Sequence, residues 1–185
     1  MLRDNDMTEL EAFVEQAIPH EAGHILVGRI LGIPVNGLDH IVEFGASNKL
    51  VPGNFACKTL APPDPYAFQG APAQVRDAYT QMVGGGLAGN IVSNLKATEH
   101  GLAKDRADLS IVSAASLEEV AERSRKVIEA HMDVFNKLRV AIKDSFDAFV
   151  SGPKFASGRH MLLTAEELEL ICPQNKTLFP PYYFP

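Results

Sequence analysis

The sequence predicts a mainly α-helical domain with a small β-strand element. Apolar residues recur at helical spacing in several long segments, and at three predicted helix starts Ser or Thr is followed three residues later by Glu. Only residues 38–44 and 55–60 have strand-like patterns bounded by Gly, Pro and Asn. The clearest helical stripe, which indicates a buried helix face, consists of Phe135, Leu138, Ile142, Phe146 and Phe149.

The first predicted helix begins at Thr8, which forms a capping box with Glu11. Pro19 interrupts the pattern because it lacks an N–H and crowds the preceding turn. Either the helix kinks there, or a new helix starts with Pro19 in its first position. The apolar pattern then continues to Gly32, where we expect the helix to end.

The remaining helices are assigned from the same signals. A helix is expected over about residues 72–95, although three adjacent glycines, Gly84 to Gly86, lie in its middle and either permit a close approach or break it. Further helices are predicted over residues 104–115, over 116–150 as one long helix, and over 164–171. His160 is expected in a surface turn, and His131 on the surface of the long helix.

Length and composition favour one domain over residues 1–185. We expect residues 155–185 to form a C-terminal extension that packs on the core or on a second subunit, since exposed aromatic residues at its end would be adhesive. A homo-oligomer is therefore possible. Two distant cysteines without a CxxC pair suit a reducing compartment.

Charge and hydropathy exclude two classes of partner. A net charge of −6 without a basic cluster argues against nucleic acid. No segment approaches the roughly 18 uncharged apolar residues that a membrane span requires, and the N-terminus has no signal-peptide pattern. We therefore expect a soluble, cytoplasmic protein.

The segment His20-Glu21-Ala22-Gly23-His24 is an HExxH motif on a predicted helix. Residues four apart on a helix lie one turn above each other, so both imidazoles can reach one Zn2+ at about 2.1 Å. Glu21 is turned about 100° from His20, so that it flanks the metal and can take a proton from a bound water. The motif predicts metal-assisted hydrolysis with Glu21 as the base.

A catalytic zinc site needs a third protein ligand. Ile30 stands where the metzincin pattern requires a histidine, which excludes that class. Spacing alone leaves several acidic or imidazole side chains open. The candidates are Glu43, Glu99, His100, Asp105 and Asp108.

Four segments of the chain resemble the zinc peptidase domain of FtsH-type AAA+ membrane proteases. HEAGHILVG at residues 20–28 is similar to that family's HEAGH helix, 83–88 to its LGGRxAE segment, 107–109 to its GAxxDLxxAT helix, and 162–168 to its closing LLxxxTLxxEEL segment. The resemblance implies a mainly helical peptidase fold with a strand beside the zinc. It also implies that Asp108 is the third ligand, because the family's aspartate aligns there.

The chain departs from this family at several points. Gly86 and Gly89 stand where the family has arginine and glutamate, and no GxxxxGK[ST] motif indicates an ATPase module. The resemblance thus implies an ATP-independent endopeptidase that cuts loose or unfolded peptide segments. Two alternatives stay open: a catalytically inactive module that binds peptides, and a metal hydrolase that acts on other amides.

The strand over residues 38–44 is expected beside the metal. An extended substrate could add to its edge by main-chain pairing. His40 on this strand would serve either as a transition-state donor or, with more support, in a structural role.

Overall fold

The computed structural model describes residues 4–42, 56–59, 65–152 and 158–178. Within these ranges the chain is mainly helical, as the sequence predicts, with one small sheet. The elements in chain order are α1 (Asp4–Leu31), β1 (Leu38–Val42), β2 (Ala56–Thr59), α2 (Tyr66–Gln69), α3 (Ala73–Val92), α4 (Glu99–Val112), α5 (Leu117–Ala130), α6 (Met132–Ser151), β3 (Gly158–Leu163) and α7 (Ala165–Ile171).

The sheet has the strand order β2-β1-β3, with both pairs antiparallel. The third strand was not predicted, and the expectation that His160 lies in a surface turn is wrong. His160 pairs with His40 in the β1–β3 register and is half-buried against Phe149 of α6. Since β1 is paired on both sides, a substrate cannot add to it, contrary to the expectation for residues 38–44.

Helices α1 and α3 pack backbone against backbone through glycines. A Cβ added to Gly23 would lie 2.0 Å from the carbonyl oxygen of Gly85, and one added to Gly89 would lie 2.0 Å from that of Pro19. No side chain fits at such distances. The glycines of α3 therefore do not break the helix but allow the two helices to approach closely.

Several helix boundaries differ from the sequence-based expectation: α1 begins at Asp4 and not at Thr8, and α4 begins at Glu99 and not at residue 104. α1 runs without interruption through Pro19, so no new helix starts there. The long helix expected over 116–150 is divided at His131, whose backbone (φ −132°, ψ 37°) is not helical. α5 packs mainly on α3, whereas α6 packs on α1 and β3, so the chain must change direction between them.

The end of α1 is fixed by the C-terminal part of the chain. The buried guanidinium of Arg29 donates to the carbonyl oxygens of Cys172 and Val35 and pairs with Glu169 of α7. Asn175 donates its side-chain N–H to the carbonyl of Ile30 at 2.9 Å. Through these contacts, residues 165–175 pack on the helix that carries the HExxH motif.

The helices of the described ranges include none that combines the length and apolar character of a membrane span. Glu43 and the aromatic tail beyond residue 178, both named in the sequence analysis, lie outside the described residues.

Candidate metal centre

Three buried side chains converge between α1 and α4. The Nε2 atoms of His20 and His24 are 3.1 Å apart. Nε2 of His20 lies 3.4 Å from Oδ2 of Asp105, and Nε2 of His24 lies 3.4 Å from Oδ1 of the same carboxylate. Ligands at about 2.0–2.1 Å from a tetrahedral Zn2+ are separated from one another by about 3.4 Å. The spacing of the three groups therefore fits a single cation bound between them, which makes this the candidate metal centre.

Each imidazole is held through its other nitrogen. Nδ1 of His24 donates to the carbonyl oxygen of Met82 at 2.8 Å. Nδ1 of His20 lies 3.2 Å from Oδ1 of Asn90. Metal-bound histidines almost always use the second ring nitrogen in this way, because the contact orients the ring and its tautomer. Both contacts come from α3, the helix that the glycines bring close to α1.

Gly86 of α3 leaves the space in front of the two imidazoles open. A Cβ added there would lie 2.5 Å from Nε2 of His24 and 2.7 Å from Nε2 of His20. Any side chain at this position would project into the space that a cation needs. The absence of the resembled family's arginine is therefore required by the close approach of α3 in this chain.

The site is almost closed to solvent, with His20 and Glu21 each 7% exposed and Asp105 6%. Burial raises the pKa of Asp105, but the two imidazoles outweigh this effect and hold its pKa below the usual value, so the carboxylate is ionised. Its Oδ2 receives no hydrogen bond from any described residue. This oxygen lies 3.4 Å from Nε2 of His20 and is available to a cation bound between the three groups.

The two histidines differ in pKa although they are neighbours. Burial lowers the pKa of His20 to about 4, and the charge of His24 adds to this. Burial also opposes protonation of His24, but Asp105 outweighs it and raises the pKa to about 9. Without a metal the pair thus carries one positive charge at neutral pH, on His24, whose additional proton a divalent cation would replace.

Glu21 lies next to this cluster on α1. It is buried, and its negative charge is among the effects that raise the pKa of His24. It does not belong to the group of three whose ligand atoms converge. This position, beside the cation site and outside its ligand set, is the one expected for a proton acceptor.

The structure does not place Asp108 at the site, which corrects the prediction made from the family resemblance. Asp108 is half-buried and pairs with Lys104 one turn earlier on α4. Asp105, one of the alternatives left open by spacing, is the carboxylate that reaches both imidazoles. The two aspartates are three residues apart, and only the orientation of α4 distinguishes them.

The sequence contains a signal that would have favoured Asp105. Leu102, Asp105 and Leu109 follow each other at helical spacing and form the buried face of α4. An aspartate within an apolar stripe requires a buried partner, whereas Asp108 stands beside that stripe with a lysine four residues before it.

The other candidate ligands do not join the cluster. Glu99 is exposed in the first turn of α4. The side chain of His100, like Glu43, lies outside the described part of the chain. His40 is buried with its ring against Phe146 and Phe149 of α6, which corresponds to the structural role and not to that of a transition-state donor.

Comparison with known proteins adds no relative. No family model matches the chain, and no curated protein and no solved structure is significantly similar to it. The resemblance to FtsH-type peptidase domains thus stays a prediction from short motifs.

Proposed function

We propose that this chain is a zinc-dependent, ATP-independent peptidase. The observation that carries the proposal is the convergence of His20, His24 and Asp105 at tetrahedral spacing, with Glu21 buried beside them. Two imidazoles and one carboxylate are one of the ligand sets of catalytic zinc sites, in which a fourth position is left for water or substrate.

The residues of the site have separate roles in this proposal. His20, His24 and Asp105 would hold the ion, and Met82 and Asn90 fix the directions of the two rings. A zinc ion there supplies a Lewis acid and lowers the pKa of water to about 7. Glu21 accepts the proton of the attacking water and passes it to the leaving amine, a role that typically contributes 10²–10⁴-fold in rate.

A peptide substrate is proposed from the HExxH pattern, in which the glutamate serves as the general base of a peptidase. Since both edges of β1 are paired, main-chain pairing with a substrate would use the outer edge of β2 or β3. The sequence has no nucleotide-binding loop, so the substrates would be loose or unfolded segments.

The test is turnover of an unfolded casein-type substrate by zinc-loaded protein. We expect Glu21→Gln to bind zinc as the wild type does and to lose at least about 100-fold in turnover, since the amide cannot accept the proton. Glu15→Gln is the matched control, because it makes the same change on the exposed side of α1. It should retain full turnover.

The outcomes also separate the alternatives. If the wild type binds zinc but cleaves neither peptides nor other amides, the chain is an inactive binding module. Cleavage of small amides without cleavage of casein would indicate a different hydrolase. Undiminished turnover by Glu21→Gln would refute the assignment of the base.

A further inference from the structure

We propose that Asn90 is a positioning residue for the metal centre, which fixes the tautomer of His20 so that its Nε2 lone pair faces the cation. The inference rests on the proposed zinc site and goes beyond its ligand set. Asn90 lies near the end of α3, fully buried, and is seventy residues from His20 in sequence. No motif of the sequence points to it.

The orientation of the Asn90 amide is fixed by its second contact. Nδ2 of Asn90 lies 2.8 Å from the carbonyl oxygen of Gln16. A backbone carbonyl can only accept a hydrogen bond, so the NH2 end of the amide must face it. The oxygen end consequently faces His20, 3.2 Å from Nδ1.

This orientation determines where the proton of His20 lies. Oδ1 of an amide is an acceptor, so Nδ1 of His20 must carry the hydrogen and donate it. In the neutral ring the lone pair is then on Nε2, the atom that lies 3.4 Å from Asp105 and 3.1 Å from Nε2 of His24. Asn90 therefore selects the tautomer that can bind a cation together with the other two ligands.

The two imidazoles differ in what holds them. His24 is oriented by the carbonyl of Met82, which belongs to the backbone and is unaffected by substitution. His20 is oriented by a side chain, so a substitution of Asn90 removes the hydrogen bond of its Nδ1. The hydrogen bond of His24 stays in place and serves as an internal reference. Loss of such a contact typically costs 10–100-fold in metal affinity.

Two variants separate this role from a merely structural one. Asn90→Leu removes both the contact with His20 and the one with Gln16. Asn90→Asp keeps an acceptor towards His20, as in the carboxylate–histidine–zinc arrangement, but cannot donate to the carbonyl of Gln16. It therefore loses the link that ties α3 to α1 and adds a buried negative charge, which lowers folding stability. Ser124→Ala is the control for loss of a buried contact elsewhere, because the Ser124 hydroxyl donates to the carbonyl of Gln81 in α3 at 2.7 Å.

The experiment measures Zn2+ affinity by competition with a chelator, together with the imidazole N–H proton resonances of the zinc-loaded protein. We expect Asn90→Leu to bind zinc 10–100-fold more weakly and to lose the Nδ1–H resonance of His20 while keeping that of His24. Asn90→Asp should restore both the affinity and the resonance, despite lower folding stability. Ser124→Ala should bind zinc with unchanged affinity.

Equal weakening in Asn90→Asp and Asn90→Leu would overturn the inference, because the link to Gln16 and not the tautomer would then decide affinity. Unchanged affinity in Asn90→Leu would overturn it as well. If the wild-type protein itself fails to bind zinc, the proposed function fails first, and the positioning role fails with it.

Discussion

Two regions of this molecule bring a pair of histidines together, yet they differ in what surrounds the imidazoles. Between α1 and α4, His20 and His24 face an ionised carboxylate, and their rings are held from behind by α3. On the sheet, His40 and His160 are cross-strand partners that lie against the rings of α6. The same residue type is paired in both regions, in two different environments.

The pKa values express this difference. Burial, with a smaller contribution from His160, lowers the pKa of His40 to about 4, so His40 is neutral at physiological pH. At the other pair, Asp105 raises the pKa of His24 to about 9 against the effect of burial. The comparison teaches that buried imidazoles alone do not make a candidate cation site. The α1–α4 pair differs from the sheet pair in the Asp105 carboxylate that converges with it and in the acceptors behind its rings.

The largest effect should come from removing one imidazole of the pair between α1 and α4, with removal of one imidazole of the sheet pair as the control. His24→Ala deletes a ligand and should weaken zinc binding by well over 100-fold, since loss of an outer contact alone costs up to about that much. His160→Ala is the counterpart on the sheet and should leave the zinc stoichiometry unchanged. Metal analysis after dialysis checks both, and zinc retained by His24→Ala would contradict the ligand assignment.

The second-largest effect should come from removing the charge of Asp105. Asp105→Asn replaces an ionised ligand by a neutral amide and should lower zinc affinity by about 100-fold, because charge pairing with the cation is lost. Asp108→Asn makes the same change one turn along α4, where the side chain pairs with Lys104, and should change affinity by no more than about twofold. The reverse order of the two affinities would restore the assignment that the family resemblance implies.

The smallest effect concerns the histidine of the sheet. Because its pKa is lower in the folded protein than the usual 6.5, the unfolded chain binds the extra proton first as the pH falls. The contribution of His40 to stability is complete above about pH 6.5 and decreases between 6.5 and 4. Between pH 6.5 and pH 4, the free energy of unfolding should therefore fall by about 2 kcal/mol less in His40→Leu than in the wild type.

Urea unfolding at several pH values measures this difference. The subtraction of the two proteins is necessary because His20 and His24 titrate as well. Parallel curves for the wild type and His40→Leu would show that His40 does not resist protonation in the folded state.

Most of the helices follow from local pattern, whereas the predictions that failed depend on long-range partners. The capping boxes at Ser116 and Thr164 are present as predicted, because a side chain and a backbone N–H three residues apart meet without help from the rest of the chain. β3 was missed because its pairing with β1 joins residues about 120 apart. The division of the long helix at His131 was missed because no Gly or Pro marks it there.

The sequence by itself determined that two imidazoles lie together with a carboxylate next to them, since the spacing of His20, Glu21 and His24 on one helix fixes their relative directions. Only the tertiary structure decided which aspartate completes the cluster, because α4 presents Asp105 or Asp108 according to its rotation against α1. The tertiary structure alone also placed Asn90 and the Met82 carbonyl behind the rings. A backbone-to-backbone contact through glycines brings α3 to that position, and contacts of this kind leave no periodic trace in a sequence.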